Sequence, residues 1–168
     1  TMERAMHERL AKLLRYESSL TKAGEMIGLS DYVGRMKQGQ EAIYFLYANS
    51  RKAVEEGPYL ESFKAAGLEV LFLYEPADEF VMSHLGEFEG KKLVSADSAD
   101  LKLDDVSATA AGEAIAKERM EGLCAWMKGL LGERVREVSS SKRLVDSPVA
   151  AMNADRMMTP SMRRLMRL

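Results

Sequence analysis

His7, His84 and Cys124 are the side chains of this 168-residue sequence best suited to covalent or metal chemistry, and their spacing gives them no partners. The two histidines fall on separate predicted elements. A metal site or a Ser-His-Asp triad would have to be assembled around a single imidazole without a local signature. His84, on a predicted helix, reads as a half-buried surface residue rather than a base. Cys124 sits in an apolar helical run and reads as a small buried hydrophobe. A lone cysteine forms neither an internal disulfide nor a cysteine-based zinc site. Phosphate chemistry needs glycine-rich turns that let backbone N–H groups approach an anion. The sequence has no G-x-x-x-x-G-K-[ST] and no G-x-G-x-x-G, and the segments after Tyr47 and Tyr74 lack such glycines. These absences argue against a nucleotide site within the segment.

Two constellations suit contact rather than catalysis. Glu79 and Phe80, with Ser83 one turn later, form a polar-aromatic patch on one reading. On the other, Asp78 and Glu79 complement the positive end of a helix, worth about 0.3–1 kcal/mol, and Phe80 packs on a sheet. Met158, Met162, Leu165 and Met166 recur at i, i+4, i+7 and i+8, with Arg163, Arg164 and Arg167 opposite. Fully burying four such side chains contributes about 6–12 kcal/mol gross. Three exposed arginines contribute less and fade with salt, so burial decides this helix's partner. Three readings stay open: a helix that packs into a further domain, an adaptable apolar face offered to varied partners, and a membrane-surface helix. A helix this short is marginal by itself.

The elements that must position these residues follow from periodicity. Met6, Leu10, Leu13 and Leu14 predict a helix over 3–16, and polar residues 17–28 predict a loop. Ser30 is the expected N-cap of a short helix carrying Tyr32, Val33 and Met36. The runs 43–47 and 68–74 are strand-length and continuously apolar, as in a sheet covered on both faces. Between them Ser50 caps a helix, Gly57-Pro58 interrupts it and Gly67 ends it. This is a βαβ unit. Pro76 opens another helix that Gly90 ends, and 92–95 form a third strand. Residues 96–112 read as a linker. A helix over 113–131 ends at Gly132; Val135, Val138, Leu144 and Val145 suggest strands; Thr159-Pro160 opens the last helix.

Composition bounds the function. Hydrophobic residues at 46% and charged residues at 30% are globular values, and the net charge of −2 excludes a polybasic nucleic-acid binder. No stretch approaches the about 20 apolar residues of a membrane span. Twelve methionines, clustered toward the C-terminus, favour adaptable apolar contacts. No signal-peptide pattern is visible, and the sequence is expected to be a piece of a longer protein.

Several collinear motifs resemble the middle domain of the heat shock protein 90 chaperone family. They are Lys12-Leu13-Leu14-Arg15-Tyr16-Glu17-Ser18-Ser19, Asp31-Tyr32-Val33-Gly34-Arg35-Met36, Gln40-Glu41-Ala42-Ile43-Tyr44-Phe45, 67–73, Pro76-Ala77-Asp78-Glu79-Phe80 and 85–95. Leu130-Leu131-Gly132-Glu133-Arg134-Val135 and Arg143-Leu144-Val145-Asp146-Ser147-Pro148 resemble the opening of that family's C-terminal domain. Residues 14–19 and 125–127 are most similar to the mitochondrial paralogue, and Asn153-Ala154-Asp155 to bacterial members.

The resemblance implies an ATP-driven, homodimeric chaperone acting on partly folded client proteins. It places ATP and Mg in an N-terminal domain outside this chain, and the catalytic arginine upstream of Thr1. No cofactor and no enzymatic activity are expected of the segment. It also implies client contact at Glu79, Phe80 and Ser83, where Phe stands for the family's Trp and Ser for its Asn, and at Met158, Met162, Leu165 and Met166. The expected fold class is α/β: a helical connector over 1–40, a small three-layer α/β/α subdomain over 41–104, and the start of a partial α+β C-terminal domain over 105–168. The expected function is client contact and domain coupling, with no nucleic-acid or membrane partner, in the mitochondrial matrix or the cytoplasm. The alternative is a stand-alone α/β enzyme or small-ligand domain binding at the carboxyl ends of its strands.

Overall fold

The computed structural model describes residues 2–98, 101 and 115–152. Along the chain it runs α1 (Met2–Ala11), β1 (Glu17–Ser18), α2 (Leu29–Arg35), β2 (Ala42–Tyr47), α3 (Arg51–Glu55), α4 (Glu61–Ala66), β3 (Val70–Leu73), α5 (Pro76–Leu85), β4 (Glu87–Phe88), β5 (Lys91–Ser95) and α6 (Lys117–Leu131). The strands form one sheet in the order β1-β3-β2-β5-β4. The three inner strands are parallel, with Tyr44 opposite Val70 and Ile43 opposite Leu93. Each edge is an antiparallel strand of two residues.

The apolar runs do not alternate because both faces of the sheet are covered. Ile43, Phe45, Leu71 and Leu73 pack on one side against Ala11, Tyr16, Leu29, Tyr32, Met82 and Phe88. Leu46, Val70 and Phe72 pack on the other against Val54, Leu60 and Phe63. The Tyr44 and Phe63 rings meet edge-on at 4.9 Å. This is the expected three-layer α/β/α arrangement.

The caps explain the helices. Ser50 Oγ accepts from the Ala53 N–H, and Gly67 closes α4 at φ 59° in the left-handed region. Pro76 occupies the first turn of α5, where its missing N–H costs nothing.

Several expectations are corrected. Helix α1 stops at Ala11, because the Tyr16 backbone pairs with Ile27 and draws the chain into the sheet. Met6, Leu10 and Leu13, whose spacing predicts the helix, are exposed. Glu17–Ser18, expected in a loop, is an edge strand. The N-cap of α2 is Gly28, whose N–H donates to Asp31 Oδ2 at 2.8 Å, and Ser30 lies inside the helix. Helix α5 ends at Gly86, and Gly90 belongs to the β4–β5 turn. Ala11, Tyr16, Ile27, Leu29 and Tyr32 share a core with the sheet residues Ile43, Phe45, Leu71 and Leu73. No described residue from 135 to 152 is in a strand.

Candidate functional site

The carboxyl ends of parallel strands are where α/β proteins bind ligands, so the site is built from there. Arg51, first residue of α3, lies just beyond β2. Its guanidinium pairs with Glu17 Oε2 at 3.0 Å and Glu55 Oε1 at 2.7 Å, donates to the Thr21 carbonyl at 2.6 Å, and stands 5.2 Å from the Phe72 ring centroid. The Tyr74 hydroxyl, immediately after β3, donates to Glu17 Oε2 at 2.7 Å, and the Gly24 N–H donates to Oε1 at 2.5 Å. The Tyr74 hydrogen bond, with those from Gly24 and Arg51, holds the Glu17 carboxyl below the usual carboxylate range although burial opposes it.

The other flank, beyond β5, is occupied from a distance. Arg143 donates through Nη1 to the Ser98 carbonyl at 2.8 Å and through Nη2 to the Ala96 carbonyl. Burial lowers the Arg143 pKa. The same distal segment is held at α4. Glu61 accepts the N–H groups of Val145 (2.8 Å), Asp146 (3.0 Å) and Ser147 (3.1 Å), and the Ser147 hydroxyl. Burial raises the Glu61 pKa, but these hydrogen bonds overcome it and bring it down to about 2. The Tyr59 hydroxyl donates to the Ala151 carbonyl at 2.5 Å.

These groups are already engaged with one another and with the backbone. Ser50 Oγ is committed to its own helix, and the Arg51 guanidinium is spent on two carboxylates and a carbonyl. Among the described residues, no group of three or more His, Cys, Asp or Glu is placed to hold a metal ion. No helix among them is long and apolar enough to cross a membrane.

The expected contact residues separate. Glu79 is 2% exposed and faces inward with Met82, one turn on; Phe80 is half-buried and Ser83 exposed. They do not form one open patch. Met158, Met162, Leu165 and Met166 lie outside the described residues. His84 is exposed, and its Nδ1 lies 2.9 Å from the Phe80 carbonyl. Cys124 is half-exposed rather than buried, because α6 has no buried residue; Leu123, Trp126 and Leu130 are all open to solvent.

Sequence reading missed Arg51, Glu17, Tyr74, Glu61 and the reach of Arg143. Motif resemblance flagged 143–148, but no local pattern connects Glu61 to a segment 84 to 86 residues away.

A profile of the family described as Hsp90 protein matches residues 1–168. The chain is 48% identical over 162 residues to a protein named Chaperone protein HtpG of Desulfitobacterium hafniense, covering 96% of this chain and 26% of that protein. It is 44% identical over 169 residues to the protein of that name from Desulfotalea psychrophila, covering 99% and 27%. It is 41% identical over 154 residues to Heat shock protein 75 kDa, mitochondrial, of Bos taurus, covering 88% and 22%. The chain thus spans about a quarter of the length of the curated relatives it matches.

Proposed function

The chain belongs to the Hsp90 family of molecular chaperones, and on that premise we propose that it supplies non-covalent client contact and couples two domains of a longer, ATP-dependent, homodimeric protein. Catalysis, ATP and Mg belong on this reading to parts outside the segment. The observation that carries it is the state of the sheet's carboxyl end. There Arg51, Glu17 and Tyr74 bond one another, and Arg143 donates to two backbone carbonyls, where an α/β enzyme would keep reactive groups for a substrate. This supports the chaperone reading over a small-ligand domain binding at that end of the sheet.

Client contact falls to residues that can rearrange. Phe80 and Ser83 are accessible on α5, and Glu79, buried beside them, contributes position rather than contact. Met158, Met162, Leu165 and Met166 carry the larger share, since unbranched apolar side chains repack against different partners. We place the start of the C-terminal domain within the 105–168 segment. Both bacterial and mitochondrial relatives match, so the mitochondrial matrix and the bacterial cytoplasm are the two compartments proposed.

The test is fluorescence anisotropy of a labelled, partly unfolded protein titrated with the 168-residue chain at two salt concentrations. Saturable binding that survives high salt and is absent for the folded form is the expected result. Met162→Ser combined with Met166→Ser weakens it without altering the fold of residues 40–95. Unchanged affinity of that variant refutes the assignment. Binding that collapses with salt points to the arginines instead.

A further inference from the structure

We propose that Glu61 and Arg143 are the two halves of an intramolecular clasp that holds residues 143–151 on the α/β/α body and releases them as one unit. This deepens the coupling role proposed above and rests on it for the purpose of the clasp, but not for its existence.

The two halves are reciprocal. The body offers a carboxylate, Glu61, to three successive backbone N–H groups and a hydroxyl of the distal segment. The distal segment offers a guanidinium, Arg143, to two carbonyls just beyond β5. Tyr59 adds a third tie at Ala151. No residue from 132 to 152 is fully buried, so apolar burial does not seal the segment down. Its attachment therefore depends on a few polar groups, each of which matters.

The halves differ in quality, and that makes the attachment reversible. Glu61 has both oxygens engaged by donors, the arrangement that best stabilises a carboxylate. The Arg143 guanidinium donates to two carbonyls with the Asp97 charge near enough to act on it, burial opposes its charge, and its Nε is buried without a hydrogen-bond partner among the described residues. A buried donor left unpaired opposes closure. The closed state is thus favoured at one end and taxed at the other, the balance expected of a contact that opens without unfolding the body. Met158, first of the proposed client-contact residues, follows Ala151 by seven residues in the sequence.

Hydrogen exchange on the full 168-residue chain decides this. Glu61→Ala is expected to speed exchange of the Val145, Asp146 and Ser147 amides at least tenfold, by one common factor. Arg143→Ala is expected to speed the same three amides although it bonds to none of them. The Leu46 and Phe72 amides in the sheet should not change. If Arg143→Ala leaves the three amides at their original rates, the halves are independent and there is no clasp. If Glu61→Ala also speeds the sheet amides, the contact is part of the global fold and the proposal fails. Glu61→Gln, which keeps the side chain's size, is expected to fall between wild type and Glu61→Ala. Client anisotropy separates the two readings. Accelerated exchange with a Kd within twofold of wild type overturns the coupling purpose alone. Absence of wild-type binding refutes client contact, while exchange still decides the clasp.

Discussion

Replacing Tyr32 by phenylalanine removes one oxygen from a position where it ties three parts of the fold together. The Tyr32 hydroxyl donates to the Glu69 carbonyl at 2.6 Å and accepts from the Tyr44 N–H at 3.1 Å and Gln40 Nε2 at 3.2 Å. Tyr44 lies in β2 and Glu69 immediately precedes β3, so one hydroxyl bridges the entrances of two parallel strands. Tyr32 is 1% exposed, which leaves water no route to replace it. Gln40 loses little, because its amide also donates to the Ala42 carbonyl at 2.7 Å. The Glu69 carbonyl and the Tyr44 N–H lose a buried partner, at about 1–3 kcal/mol each. The expected loss is about 3 kcal/mol, or about 14 °C in Tm for a cooperative unit of roughly 100 residues. Urea unfolding followed by far-UV circular dichroism, at constant m, measures it. Tyr47→Phe is the control: its hydroxyl meets only Asn49 Oδ1 at an exposed site, and its cost should stay within about 0.5 kcal/mol. A Tyr32→Phe loss no larger than that of the control would refute the reasoning.

Arg35→Ala strips the two-pronged partner from Glu69, whose side chain is 5% exposed, and should cost about 2 kcal/mol by urea midpoint. Adding Glu69→Gln should recover part of that loss, since the stranded charge is then gone; no recovery would point to lost packing instead. Phe63→Ala opens a cavity between α4 and the sheet and should cost about 3–5 kcal/mol, with loss of near-ultraviolet dichroism. The pH response follows from Glu61, whose folded pKa of about 2 lies below its ordinary 4.5. A depressed folded pKa contributes attachment that is full above 4.5 and is lost as pH falls toward 2. Exchange at the 145–147 amides, corrected for the intrinsic rate, should accelerate across that window in wild type and stay flat there in Glu61→Gln.

Legibility in the sequence followed the range of the interaction. Ser50, Gly67 and Pro76 act within one turn of their own positions, and each marked its helix end correctly. The runs at β2 and β3 were legible because burial on both faces leaves a continuous apolar signature. Two-residue strands such as β1 and β4 are too short to carry a period. Val135, Val138, Leu144 and Val145 have the β-branched or apolar character of strands, but the stretch from 143 onward is placed by Glu61 and Arg143 hydrogen bonds instead. The apolar stripe of α1 predicts a helix but leaves Met6 and Leu10 exposed, because periodicity reports a face and says nothing of what covers it. The polar groups of the site were the least legible, since Glu61 meets its partners across more than eighty residues.

The two-residue edge strands carry a consequence for a protein proposed to meet unfolded polypeptide. An unfolded chain carries unpaired backbone groups along its length and will add itself to any sheet edge long enough to fix a register. In this sheet the outermost described strands are β1 and β4, each two residues long. A stray segment that docked there would form one or two ladder bonds and then run out of template. The terminal strands β1 and β4 therefore give a passing chain little template for a ladder.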